Sequence, residues 1–502
     1  MKHKSTNKPA IPFHPLIDEQ PADTLSHIQT MLRFAQESAT KATEDTELTP
    51  HQIRVYSKLN GLLRMINEAV EYEMERLQDY RPEGNVKGDV RGYSAVTGEH
   101  LWTFRTIPQR GDVGYETWMN DGAEISGNAG VWAPLSGDAE LGLVYLPVES
   151  ATGDRYGADR PGNNLFANSL VALDIATGER KWHYQIIHHD IWDWDNPSAP
   201  ILADLPNGKK VIMQVTKQSY VYTFDRENGE PIWPIEELPV PAGDVPGEWY
   251  APTQPFPTKP AGFDRQGFTE DDLIDFTPEL REKALLAVAD FRLSPSLYSP
   301  PSLKDAADGT KGTLSLPSAT GGANWEGSAI DPETGMLYIP SRTTISVLSV
   351  EKDESSDVAF SQSYGVRVPR VNGLPIVKPP YGRITAIDMN SGDHAWMIAN
   401  ADTPERIANN PALEGVDLPR TGIETKSGIL LTKTLLFAGE GVGGGPTLRA
   451  HDKMTGEILA EIELPNAQTG VPMTYEHNDK QYLVMVVSGG GTAAEIVAYA
   501  LP

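Results

Sequence analysis

One short pattern recurs along this chain and restricts its fold more than any other feature. An alternating apolar run ends in aspartate, glycine stands four places later, and a second run ends in tryptophan. The copies are Asp174 to Gly178 with Trp182, Asp225 to Gly229 with Trp233, and Asp388 to Gly392 with Trp396. Tyr93 to Glu99 with Trp102 is a relative. In Asp452 to Gly456 the tryptophan place is taken by Ala460, and a weaker copy, Asp331 to Gly335, leads into Met336–Ile339. An aspartate side chain bonds its own backbone at the start of a turn, and glycine takes the positive-φ place that other residues resist. The tryptophan then falls on a repeated position, where it can wedge between neighbouring sheets. Such units, repeated with one aromatic each, predict an all-β chain built as a β-propeller, here with about six blades.

The repeats begin only at Gly88. Before them Leu25, Ile28, Met31, Leu32 and Ala35 keep helical spacing, as do Tyr56, Leu59, Leu62, Leu63, Ile66, Val70 and Leu77 after the capping pair Thr49-Pro50. Residues 1–87 therefore read as an α-helical segment, a helical hairpin, closed by the linker Arg81–Asn85. Within 88–502 a Pro-rich and helical insertion is expected at about 236–316. Pro231–Pro260 reads as irregular or polyproline-like, and Thr269–Arg292 as one helix. The run Gly439–Pro446 lacks the Gly-Lys-Ser/Thr of a phosphate loop and reads as a turn.

The 502 residues carry a formal charge of −27, so nucleic acid is not an expected partner. With no cysteine there is no thiolate metal site, no cysteine nucleophile and no Cys-x-x-Cys-His haem site. The basic start Met1–Lys8 is not followed by an apolar segment, so no signal peptide is visible.

Chemistry concentrates in Trp182–Asp195, which holds three histidines, three carboxylates and three tryptophans. Asp190, beside His188 and His189, suits a general base, and a hydrogen-bonded turn at a sheet end stays open as the alternative. Adjacent histidines on a strand face opposite ways, which argues against joint zinc binding. Asp193 and Asp195 read as turn or solvent acids. Lys217 interrupts the strand-like run Gln214–Tyr222, either snorkelling or aimed at an anionic or carbonyl group. Trp132 follows small residues and reads as a stacking floor or as core. Asp154 offers a hard oxygen suited to calcium, and Asn324-Trp325 is a polar and aromatic pair after Gly321-Gly322-Ala323.

Taken with Gly470–Tyr475 and the ending Ile496–Pro502, these motifs resemble the pyrroloquinoline quinone (PQQ) dependent dehydrogenases, most closely the membrane glucose dehydrogenase type, from about Gly88 to Pro502. The resemblance implies oxidation of a sugar, polyol or alcohol, with PQQ and a calcium or magnesium ion on the propeller axis. It implies Trp132 under the quinone, Asp154 and Asp190 at the metal, Asp190 as base, Lys217 at the quinone oxygens and Asn324 lining the pocket. It implies an external quinone or cytochrome as electron acceptor and a periplasmic or cell-envelope location. The family has eight blades. The first two and part of a third have no counterpart here, so a partner chain or oligomer covering open sheet edges is expected. A catalytically inactive propeller serving as scaffold or remnant is the rival reading, and a calcium-dependent glycosidase or lectin a third.

Overall fold

The computed structural model describes residues 86–354, 358–489 and 492–500. It divides into two compact units, residues 1–86 with 94–99, and residues 87–93 with 100–502. The helical hairpin expected over 1–87 lies outside the described residues, apart from the last two. Of the first unit, only the turn Ser94–Glu99 is described at length. It has the form of the repeat, with Ser94 Oγ accepting from the Thr97 amide at 3.2 Å and Gly98 at φ +75°.

The second unit is a succession of antiparallel meanders. Val90–Tyr93 pairs with His100–Phe104. Ser136–Asp138, Leu143–Pro147, Ser169–Asp174 and Arg180–Gln185 form a four-stranded sheet, and Ile201–Asp204, Lys210–Val215 and Val221–Asp225 a three-stranded one. Two further four-stranded sheets follow, Ala329–Asp331 with Met336–Arg342, Gly382–Asp388 and Asp393–Ala399, then Ile429–Leu431 with Leu435–Gly439, Thr447–Asp452 and Ile458–Glu463. Met473–His477, Lys480–Gly489 and Thr492–Ala500 close the series.

The repeated turn explains how neighbouring sheets lock. Asp174 Oδ1 accepts from the amides of Ala176 and Thr177, both at 3.0 Å, and the Gly178 amide donates to Asp174 O at 2.8 Å. Asp225 and Asp452 repeat this pattern. Each tryptophan then lies on the glycine of a later turn, Trp102 on Gly178, Trp182 on Gly229, Trp233 on Gly392 and Trp396 on Gly456. A Cβ on Gly178 would meet the Trp102 ring at 2.6 Å, and one on Gly229 would meet Trp182 at 2.6 Å. The indole N–H donates to the carbonyl just after the turn's aspartate, as in Trp102 to Ile175 at 3.0 Å and Trp182 to Arg226 at 3.3 Å. Trp396 does the same to Lys453 at 3.3 Å. Glycine is needed twice over here, for its left-handed φ and for the space the ring fills.

The insertion departs from expectation. Ile235–Pro239 pairs with Thr253–Pro257 as a hairpin inside the stretch expected to be irregular. Prolines are tolerated there because this two-stranded sheet has outer edges that require no N–H donor. The helix is shorter than expected, running only Pro278–Val288 with Thr277 as its cap. Pro278 sits at its first turn, the place where a missing N–H costs nothing, and it disfavours helix in the residue before it. Thr269 instead caps a separate short turn, Glu270–Asp272. Thr313–Ser315 pairs antiparallel with Ser346–Lys352, so the insertion is stitched to chain beyond it.

Candidate functional site

The strand Arg180–Gln185 ends just before the acidic and aromatic segment. Ile186, Ile187 and Ile191 are fully buried and act as pegs. Trp192 and Trp194 stack with centroids 5.7 Å apart, and their indoles donate to Ser299 O at 2.9 Å and Ser318 O at 3.1 Å. Between these anchors the backbone is forced into left-handed turns, with φ +48° at His189 and +59° at Asp193. The two adjacent histidines lie in this loop rather than on a strand. They nonetheless face different partners, His188 meeting Glu237 at 3.1 Å and His189 meeting Glu248 at 3.0 Å.

Asp190 is buried at the centre of this loop. Its Oδ2 accepts from Trp194 N at 2.8 Å, Asn168 Nδ2 at 3.2 Å and the Ser150 hydroxyl. Its Oδ1 accepts from Trp192 N at 2.8 Å. Arg160, itself fully enclosed, donates to the Asp190 carbonyl at 2.6 Å and to Thr152 O and Gly153 O. The carboxylate is thus held from three chain segments. Oδ2 is crowded by three donors, whereas Oδ1 takes only one and keeps a lone pair for a further proton.

Lys217 corrects two expectations. It stands in the tight turn between the strands Lys210–Val215 and Val221–Asp225, not inside a strand, because Ser219 adopts φ +71° and Thr216 N–H bonds back to Tyr220 O. Its ammonium donates to Asp195 Oδ2 at 2.7 Å, to Asp193 Oδ1 at 3.1 Å and to Asp193 O at 2.7 Å. Asp193 stands in a turn as expected, but both it and Asp195 are ion-pair partners of Lys217 rather than solvent acids. Asp195 also accepts from Ser150 N at 2.9 Å, which ties the lysine to the residue that holds Asp190. Burial alone would raise Asp195, but the ammonium outweighs it and keeps that carboxyl below the usual range. Asp193 is pushed up to about 7 by burial, which Lys217 only partly offsets. Lys217 is raised, since the two carboxylates overcome the burial that would lower it.

Two more acids complete the group. Glu149 is buried, accepts from Gly130 N at 2.9 Å, and is pushed up to about 7 by burial and then by the charge of Asp195. Asp154 shows its tip to solvent, yet enclosing protein raises it, and Asp195 and Asp190 add to the effect. Arg155 lies 3.6 Å from Asp193. Five carboxylates (Glu149, Asp154, Asp190, Asp193, Asp195) thus share three cations (Lys217, Arg155, Arg160). The carboxylate oxygens are the hard donor type that a divalent cation such as calcium takes. Among the described residues no three His, Asp or Glu side chains are already drawn into metal-holding geometry.

The remaining candidates are placed less directly. A Cβ on Gly321 would meet Lys217 Cα and Cβ at 2.7 Å, so the backbone leading to Asn324 lies against the lysine. The Asn324 amide itself serves its own turn, donating to Thr320 O at 2.7 Å and accepting from Trp325 N at 2.8 Å. Trp132 is 45% exposed, two residues after the Gly130 amide that binds Glu149. Hydrogen bonds thus join Asp190 and Lys217 through Ser150 and Asp195. Asp154 joins them by charge, and Trp132 and Asn324 by chain position alone.

Sequence reading missed Ser150, Arg160 and Glu149, which look ordinary in the sequence and gain meaning only from their neighbours. It also missed three residues near Asn324. Burial lowers Arg342 and Lys426, and neither has a carboxylate in ion-pair contact among the described residues. Glu326 is buried, raised for that reason, and its Oε2 has no hydrogen-bond partner.

A chain of repeated antiparallel sheets, with a carboxylate and lysine cluster on the loops at the sheet ends, defines a mainly-β protein of the propeller class. A family model described as the PQQ-type glucose/ethanol/alcohol dehydrogenase β-propeller domain matches residues 66–483, and the chain belongs to that family. Quinoprotein glucose dehydrogenase A of Acinetobacter calcoaceticus is 31% identical over 451 residues, which cover 83% of this chain and 54% of that protein. The glycerol dehydrogenase large subunit of Gluconobacter oxydans is 29% identical, covering 83% and 59%. The quinate/shikimate dehydrogenase (quinone) of Acinetobacter baylyi is 29% identical, covering 82% and 53%. The crystal structure of quinohemoprotein alcohol dehydrogenase from Comamonas testosteroni superposes with a TM-score of 0.52 at 23% identity, covering 81% of this chain and 53% of that one. The chain therefore spans about half the length of the curated relatives it matches.

Proposed function

We propose that this chain carries the reaction centre of a PQQ-dependent dehydrogenase that oxidises a CH–OH group of a sugar, polyol or alcohol. The observation that carries this reading is the held Asp190 carboxylate, linked through Ser150 and Asp195 to Lys217. The family fits it, since the relatives named above are dehydrogenases of glucose, glycerol and quinate.

When bound, PQQ with its metal ion supplies the electron acceptor and the positive charge that polarises it. Asp190 Oδ1 takes the hydroxyl proton of the substrate. Its other oxygen, fixed by Ser150, Asn168 and Trp194, holds the carboxylate plane still. Glu149, Asp154 and Asp190 would hold the metal. Lys217 would meet the quinone oxygens, with Asp193 and Asp195 orienting its ammonium. Arg342 and Lys426 offer positive charge to the cofactor's carboxylates, with Asn324 beside them and Trp132 as the stacking surface. A separate quinone or cytochrome would serve as the final electron acceptor.

The test is reconstitution of the chain with PQQ and calcium, followed by dye-linked oxidation of glucose, glycerol, quinate and simple alcohols. Asp190→Asn should abolish turnover while leaving PQQ binding intact. Absence of PQQ binding at large excess sinks the reading. One observation favours a second reading: Asp190 already receives four donors, which also suits a purely structural acid in an inactive propeller. That reading requires Asp190→Asn to change stability alone.

A further inference from the structure

The segment that presents Asp190 is gripped from outside its own sheet. Gln254, fully buried, accepts from the His188 amide at 2.9 Å and donates to the His188 carbonyl at 2.6 Å. One side chain thus pairs with both polar groups of a single residue, as a neighbouring strand would. Glu248 meets His189 Nε2 at 3.0 Å with both side chains essentially buried, and its second oxygen accepts from Gly157 N at 2.6 Å. The other ring nitrogen of His189 faces Gly162 O at 3.1 Å and Asn164 Oδ1 at 3.0 Å. Trp249 closes edge-on against the imidazole at 5.0 Å. Both clamp residues come from one part of the insertion, the hairpin of Ile235–Pro239 and Thr253–Pro257 and its connecting loop.

The clamp acts on a strained point. His189 sits at φ +48°, a left-handed conformation that a non-glycine residue keeps only where its surroundings over-determine it, and such positions gather at functional sites. Asp190 follows immediately, so the rotation of His189 sets the direction of the Asp190 side chain. Released from Gln254 and Glu248, the loop would relax toward extended backbone and carry the carboxylate with it.

We propose that Glu248 and Gln254 are positioning residues for Asp190, which makes the insertion hairpin part of the reaction centre. The catalytic consequence rests on Asp190 being the base, but the clamp itself does not. In the full chain loaded with PQQ and calcium, Glu248→Ala and Gln254→Ala should lower kcat on the order of 10- to 100-fold, the scale on which misplacing a reacting group is felt. KM and PQQ affinity should stay within about twofold, since the two side chains are taken up by His188, His189 and Gly157. Glu248→Gln, which keeps an acceptor for Gly157, should recover part of the loss. Asp244→Asn breaks the exposed Asp244–Arg292 pair in the same insertion and should match wild type.

A second readout needs no turnover. The amides of Trp192 and Trp194 donate to the Asp190 carboxylate, so their hydrogen exchange reports its position. Their exchange should speed up roughly tenfold or more in the two alanine variants while amides in other sheets keep their protection. Unchanged exchange in folded variants overturns the proposal, and so does a rise spread evenly over all sheets. If the alanine variants do not fold, Glu248→Gln and Gln254→Glu carry the same comparison. Wild type without turnover, combined with faster exchange in the variants, would remove Asp190 as base and leave the clamp standing.

Discussion

Lys217 Nζ lies 2.7 Å from Asp195 Oδ2, and both side chains are almost wholly buried. This contact makes the acidic loop after the second sheet and the turn of the third sheet one electrostatic unit. Removing the cation leaves Asp195 buried without its partner, which typically costs about 3–5 kcal/mol. Lys217→Ala should therefore shift the urea midpoint of unfolding well below wild type, and Lys217→Arg much less. A Lys217→Ala protein as stable as wild type would show that the pair is not formed.

Glu149 ties stability to pH and, as a proposed metal ligand, to calcium. Its folded carboxyl titrates at about 7, above its ordinary value, so between about pH 4.5 and 7 the folded protein binds more protons than the unfolded chain. Stability therefore falls as pH rises through that window. In metal-free protein Glu149→Gln should gain up to about 3 kcal/mol over wild type at pH 8 and nothing at pH 4. Calcium should raise the Tm of wild type at pH 8 and raise that of Glu149→Gln less. Thermal melts at the two pH values, with calcium or with chelator, measure all of these.

His183 works in the opposite direction. Burial pushes it down to about 4, helped by the Arg180 guanidinium, whose Nη1 lies 2.8 Å from Nδ1. The unfolded chain binds that proton first, so stability present above about pH 6.5 is lost as pH falls toward 4. His183→Gln keeps an acceptor for Arg180 without the titration. Its melting temperature should fall less than wild type's between pH 7 and 4.5, by the equivalent of roughly 2–3 kcal/mol.

The ring and glycine contacts between sheets predict a contrast. Gly229 and Gly208 both have positive φ, +77° and +83°, but only Gly229 is covered by a tryptophan ring. Gly208→Ala carries only the backbone strain, about 1 kcal/mol. Gly229→Ala adds overpacking against Trp182 and should cost roughly 2–5 kcal/mol in total. Equal losses in chemical denaturation would show that the ring does not press on the turn.

What could be read in the sequence was what is local. The turn at Asp174–Gly178 is set by an aspartate bonding amides two and three residues on and by one left-handed glycine, so four residues suffice to announce it. Repeated with a tryptophan, that signal determined the all-β class and the series of sheets. The crowding of acids and aromatics around Asp190 was visible for the same reason. Helix limits in the insertion were misjudged because the apolar spacing from Leu273 to Phe276 serves burial outside a helix.

Only the tertiary structure decided which charges meet. Asp195 reads as a solvent acid until Lys217, 22 residues away, arrives beside it, and Glu248 reads as one more acid in a proline-rich stretch until it reaches His189, 59 residues away. Burial and ion pairing depend on distances in space that no local pattern encodes, and a carboxylate has the same covalent form whether solvated or enclosed. By itself the sequence determined the repeated turns and sheets. Packing of those sheets decided which acids are buried, which cation offsets them and which side chains hold Asp190.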